Sequence, residues 1–160
     1  MAGSVLAIGV SAEAGGELHS VDVATLVAGQ GIVGDRYYRR SGTFSEKLKK
    51  SKDWEVTLIE QEEVERFNGQ QGTAFAAISF RRNIVTTGVR LNDLVGIRFR
   101  VGDAVLDGVR LCEPCAHLGR QIGFDVVKSM VHRAGLRARI VSGADVRPGD
   151  LVTTGVGSTD

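Results

Sequence analysis

Two thiols define the chemistry open to this chain. Cys112-Glu113-Pro114-Cys115 sets two cysteines three positions apart around a glutamate and a proline. The segment follows an apolar, strand-like run and precedes a helical pattern. A cysteine at a helix start meets exposed backbone N–H groups and the positive end of the dipole, which favours the thiolate. Pro114 suits the residues just before a helix, because its φ is fixed and its missing donor costs nothing there.

Three chemistries are compatible with the pair. The first is a dithiol redox site, since Cys-x-Pro-Cys resembles a thioredoxin-type motif. That motif needs a βαβ setting and a second proline facing the thiols, whereas Pro148 falls in the turn Arg147-Pro148-Gly149-Asp150. The second is a zinc site made of Cys112, Cys115, His117 and His132. Its Cys115-x-His117 spacing is cramped, and no second closely spaced ligand pair exists. The third is a single thiolate that binds a soft metal or carries sulfur, with Cys112 as a neighbour.

Cationic groups form the other chemical feature. Arg81-Arg82-Asn83-Ile84-Val85-Thr86-Thr87-Gly88 joins two guanidinium forks to neutral hydrogen-bonding groups, a combination suited to a phosphate or a polar heterocycle. Gly34-Asp35-Arg36-Tyr37-Tyr38 adds a further arginine. The alternative for both stretches is a solvated strand edge.

The elements that must position these groups are short. Strands are expected over residues 5–10, 18–27, 56–59, 83–86, 97–101, 104–111, 138–141 and 151–154, from alternating or continuous apolar runs. A short helix is expected over residues 60–67, with early glutamates at its start and Asn68-Gly69 as its stop. Leu118, Ile122, Val126 and Met130 recur every fourth residue, which predicts one long helix over residues 116–133 ended by Gly135. Gly102-Asp103 and Gly149-Asp150 read as hairpin corners. Many strands with few helices predict an α+β, mainly β domain, barrel-like and largely antiparallel, with too few crossover helices for a parallel βαβ sheet.

The totals narrow the function classes. The 160 residues suffice for one domain with its own core, and 21 glycines against two prolines suit many tight corners. A net charge of +1 gives no global field for nucleic acid or membranes, and aromatics at 6% rule out a stacking platform for RNA. The glycines fit no phosphate-binding loop spacing. Residues 46–53 form a charged, loop-like stretch. No secretion signal and no membrane-length apolar run is present, so a cytoplasmic protein with free thiols is expected.

Several segments together carry a family resemblance. Arg82-Asn83-Ile84-Val85-Thr86-Thr87-Gly88 is followed by Leu91-Asn92-Asp93-Leu94-Val95-Gly96, then Phe99-Arg100-Val101-Gly102-Asp103 and Glu113-Pro114-Cys115. Gly31-Ile32-Val33-Gly34-Asp35-Arg36 comes before them, and His132-Arg133-Ala134-Gly135-Leu136-Arg137-Ala138 and Arg147-Pro148-Gly149-Asp150 come after. In this order the chain resembles the MOSC family, named for the C-terminal domain of molybdenum cofactor sulfurase, as a stand-alone member spanning residues 1–160.

The resemblance implies a barrel-like fold and a pocket for molybdenum cofactor, a pterin dithiolene bearing a phosphate. Cys115, directly after proline, matches the cysteine that ligates molybdenum in relatives reducing N-hydroxylated compounds. Arg82 and Asn83 match the family's Arg-Asn step and are expected near the pterin or its phosphate; Arg36, Arg81 and Thr86 complete the expected cofactor-binding set. Tyr37 stands where many members carry histidine, so that histidine's role does not transfer. A small-molecule substrate and an electron-donor protein are implied partners. Within the same family, Cys115 could instead hold a persulfide supplied by a sulfurase, or the pocket could bind cofactor without turnover. No pyridoxal phosphate is expected, and no nucleic acid or membrane partner.

Overall fold

The computed structural model describes residues 2–38, 53–122 and 126–156. The charged stretch at residues 46–53 lies outside them except for Asp53. Eleven strands occur among the described residues: β1 (Gly3–Val10), β2 (His19–Ser20), β3 (Ala24–Val27), β4 (Gly31–Ile32), β5 (Val56–Glu60), β6 (Ile84–Thr87), β7 (Arg98–Val101), β8 (Ala104–Leu111), β9 (Leu136–Ser142), β10 (Ala144–Val146) and β11 (Leu151–Thr153). Two α-helices accompany them, α1 (Gln61–Gln71) and α2 (Ala116–Ile122).

Seven strands close into a barrel in the order β1-β6-β5-β9-β8-β7-β11, with β11 returning to β1. The expected mainly β, barrel-like α+β class is what the chain adopts. All neighbours in the ring are antiparallel except β5 and β6, which run parallel. That pair is joined through α1, so one βαβ crossover does occur inside an otherwise antiparallel barrel. Closure pairs the edge strands, leaving the ring no open ladder. A small sheet of β10, β3 and β4 stands beside it.

The alternation of each strand sorts its residues between two apolar layers. Val56 and Leu58 of β5, with Phe99 of β7, Leu106 of β8, and Leu136, Ala138 and Ile140 of β9, fill the barrel. Ile59 and Val85 face outward into a second layer made by Val64 and Phe67 of α1, Phe80, Leu118 and Met130. Phe67 meets Phe80 edge-on, with ring centroids 5.5 Å apart. Thr57 shares the outer side with Ile59 but sits beyond this apolar cover. That vacancy in the outer layer is where the candidate site forms.

Three sequence expectations change. The long helix over residues 116–133 stops at Ile122. Leu118, Ile122, Val126 and Met130 all still pack into the outer layer, because single turns suffice to bury them. Met130 N–H bonds to Val126 O at 2.9 Å, and His132 then takes φ 61, which ends any helical path. Glu113 fixes that bend by accepting the His132 N–H at 3.0 Å. The expected strand over residues 18–27 is two short strands, β2 and β3. Helix α1 ends at Gly72, in the left-handed region at φ 67, four residues past Asn68. Asn68 is more useful inside the helix, where its side chain bonds Thr73 and both the N–H and C=O of Phe75. Among the described residues no helix is long and apolar enough to cross a membrane.

Glu60, the residue entering α1, gives the fold a pH dependence. Burial, then the nearby Glu63 carboxylate, push its carboxyl from the usual 4.5 up to about 7. Between those values the folded chain binds more protons than the unfolded chain, so stability falls as pH rises through this window. Urea unfolding at pH 5 and pH 8 should show a loss of roughly 1–2 kcal/mol, after allowance for partial exposure. Glu60→Gln should flatten that loss; an unchanged slope would refute the assignment.

Candidate functional site

Strand β8 ends at Leu111 and delivers the four-residue Cys112–Cys115 segment to the first turn of α2. Cys112 N–H donates to Gly135 O at 2.8 Å, and Gly119 N–H donates to Cys115 O at 3.1 Å. Cys112 is buried at 1% exposure, whereas Cys115 is half-buried, and both thiols are free. Two residues three apart thus have opposite access to solvent. Cys112 is almost wholly enclosed although it borders the pocket, and Cys115 is the more accessible thiol.

The pocket is narrow, with a cavity volume of about 40 Å³. Cys112, Cys115, His117 and Leu118 form one side. Thr57 and Arg137, partners across β5 and β9, supply the outer barrel wall. Arg36, Tyr37, Arg81 and Arg82 close it from the connecting segments. Four guanidiniums therefore surround the thiol.

Each cation is held differently. Arg36 is buried and pairs with Asp35 Oδ1 at 3.1 Å, and its guanidinium lies 4.7 Å from the Tyr37 ring centre. Asp35 also accepts the Ser11 and Tyr37 N–H groups, at 3.1 and 3.2 Å, which fixes the turn carrying Arg36. Arg81 donates to Gly16 O. Burial, then the Arg36 charge, lower its pKa from the ordinary guanidinium value. Arg137 has no hydrogen-bond or ion-pair partner among the described residues. His117 is held below its ordinary 6.5, chiefly by burial and then by Arg120, Arg81 and Arg36, so it presents a neutral imidazole at neutral pH.

Arg82 lines the pocket, but its donors are spent on backbone. Nε donates to Ala134 O at 2.8 Å, Nη1 to Phe80 O at 3.2 Å, and Nη2 to Cys112 O at 3.2 Å and Glu113 O at 3.4 Å. It staples the cysteine segment to the chain before β9 and β6. Two expected cofactor residues lie outside the pocket. Asn83 is buried and takes both Thr57 donors on Oδ1, at 3.2 and 3.1 Å, while Nδ2 donates to Gly9 O at 3.1 Å. Thr86 is wholly buried and donates to Ile59 O at 3.3 Å. Both tie strands together, because a buried polar group must find a partner and the nearest ones are backbone.

The sequence reading missed Arg137 and Thr57 as pocket residues. Starting the expected strand at residue 138 hid Arg137, which alternates outward between Leu136 and Ala138. Thr57 is the one polar side chain in the apolar run at residues 56–59, a signal that was legible but unused. His132 does not join the pocket; its Nδ1 lies 3.2 Å from Glu113 Oε2. No three His, Cys, Asp or Glu side chains gather as a metal cage among the described residues. The four-ligand zinc arrangement is thereby lost. Burial of Cys112 likewise removes one thiol of a dithiol pair from solvent.

Comparison with solved structures gives the same architecture. YuaD from Bacillus subtilis superposes with a TM-score of 0.77 at 16% identity, covering 95% of this chain and 94% of that one. YiiM from Geobacillus stearothermophilus gives 0.74 at 16% identity, over 98% of this chain and 77% of that one. YiiM from Escherichia coli gives 0.69 at 19% identity, over 100% and 72%. At such identities these likenesses speak to fold alone. Comparison with curated protein sequences gives no match. The MOSC domain family model matches residues 45–153, which include β5 to β11, the Arg81-Arg82 pair and both cysteines. The chain belongs to the MOSC domain family, a family associated with the molybdenum cofactor.

Proposed function

We propose that the Cys115 pocket binds molybdenum cofactor and that the protein reduces N-hydroxylated compounds with it. The supporting observation is a half-buried free thiol in a pocket lined by four guanidiniums and no carboxylate among the described residues, one of them, Arg36, paired to Asp35 behind it. The donor set fits the group. A thiol is a soft ligand suited to molybdenum beside dithiolene sulfurs. Arg36 and Arg137 are the cations placed to hold its phosphate. When bound, the cofactor supplies the redox chemistry.

The chain's own residues supply position and protons. Arg82 and the Gly135 carbonyl fix the backbone that carries Cys115. Leu118 excludes water from one side of the pocket. The neutral His117 imidazole can accept or donate a proton at the pocket wall. Electrons come from a separate donor protein, and the reduced compound is a small molecule.

Protein made in a host that synthesises the cofactor is expected to carry molybdenum and pterin near one per chain. Cys115→Ser should lose both, while Cys112→Ser should retain them if it folds. Reduction of an amidoxime with an artificial electron donor then tests turnover. Absence of metal and pterin, with Cys115 heavier by one sulfur atom, would replace this reading by a persulfide carrier. Full loading without reduction would leave a binding module.

A further inference from the structure

A second cavity lies beside the Cys115 pocket, and Arg81 lines both. It is the larger of the two, with a cavity volume of about 360 Å³. Leu18, Phe75, Ile78 and Ile122 give it an apolar wall. Ile78 is held in place by bare backbone: a Cβ on Gly9 would stand 2.7 Å from its Cδ1. Glu17, Ser79 and Arg81 share the lining with this apolar wall, and polar groups placed beside an apolar surface are how small-molecule sites fix a ligand's orientation.

Arg81 is the polar group that matters. It ends a short turn of 3₁₀ helix (Ala77–Phe80) in the left-handed region, at φ 64, a conformation that costs a non-glycine residue about 1–2 kcal/mol. This backbone aims the side chain between the two cavities. A guanidinium has five N–H donors. Among the described residues only Gly16 O accepts from Arg81, and no carboxylate pairs with it. The turn that presents Gly16 is closed by its own N–H donating to Glu13 O at 3.1 Å. The neighbouring Arg36 adds positive charge at the same boundary, offset in part by the Asp35 carboxylate. A half-buried cation with most donors unused, set at the end of an apolar cavity, calls for an anion from outside the chain.

We infer that the second cavity binds a small organic monoanion with an apolar body, its anionic group on Arg81 and its body against Leu18, Phe75, Ile78 and Ile122. Glu17, exposed at the rim, disfavours a second negative group at the open end. Arg81 places the anionic head between this cavity and the Cys115 pocket; the binding does not rest on the proposed function of Cys115.

Naphthoate, titrated into the purified full chain by calorimetry, is the probe. It should bind once per chain, and naphthylmethanol, with the same body and no charge, should bind roughly tenfold or more weakly. Arg81→Asn removes the charge while tolerating the left-handed backbone, and should weaken naphthoate by a similar factor. Ile78→Trp fills the cavity and should abolish binding of both compounds. Cys115→Ser should bind naphthoate as the wild type does, so loss of the cofactor reading and loss of this one are separately visible. Equal affinity for the charged and neutral compounds, no effect of Arg81→Asn in a folded protein, or no binding by the wild type would overturn the inference.

Discussion

Replacing Arg82 by methionine should remove about 3–5 kcal/mol of stability. Arg82 is nearly enclosed, at 9% exposure, and each hydrogen bond its guanidinium donates goes to a backbone carbonyl. Methionine keeps much of the volume but leaves the oxygens of Ala134, Phe80 and Cys112 without their donor. A buried carbonyl stripped of its partner costs roughly 1–3 kcal/mol. A typical domain has only about 5–15 kcal/mol in hand, so the variant should be marginal. Arg82→Lys should recover little, because one ammonium cannot reach carbonyls arrayed around a planar fork. Urea denaturation measures the loss, and alkylation of Cys115 reads the site: a loosened segment should react faster. A loss below about 1 kcal/mol would mean that water replaces the fork, and Arg82 would no longer count as the staple.

Gly135→Ala should be comparably damaging, for a backbone reason. Gly135 has φ +119, a region that side-chain-bearing residues rarely adopt, and an added Cβ would stand 2.1 Å from Leu58 O. Leu58 is in the middle of β5, paired with Leu136 of β9. Neither strand can give way without opening the barrel, and the Gly135 carbonyl also accepts the Cys112 N–H. The expected loss is about 3 kcal/mol or more, from strain and overpacking together. Thermal unfolding measures it. If cofactor loading is established, loading should fall with it, since the cysteine segment is hung from this carbonyl. A near-neutral result would show that β9 can start elsewhere.

These two residues show where sequence reasoning reached and where it stopped. Arg82 stood out as a cation beside a strand, and an anion-binding role was the natural expectation from residue type. Its acceptors, Ala134 and Cys112, lie 52 and 30 positions away, so only closure of the barrel brings them together. Asn83 and Thr86 followed the same course, their polar groups turned to neighbouring strands. Arg137 escaped notice because a strand boundary was read two residues late.

The long helical stripe failed in an instructive way. Its burial was legible, as all four repeating residues pack in the outer layer, but its continuity was not. Periodicity reports which side chains must be covered, and single turns cover Val126 and Met130 as well as a helix does. The contact that bends the chain there, from Glu113 to the His132 N–H, joins residues 19 apart.

By itself the sequence determined the mainly β class, most strands, and the placement of Cys115 between a strand and a helix. Those features rest on local alternation, turn residues and neighbours in the chain. Only the tertiary structure decided which thiol is accessible, which arginines face it, and which are consumed by backbone. Those outcomes depend on donors and acceptors brought together by the closed barrel, and no local pattern encodes such a meeting.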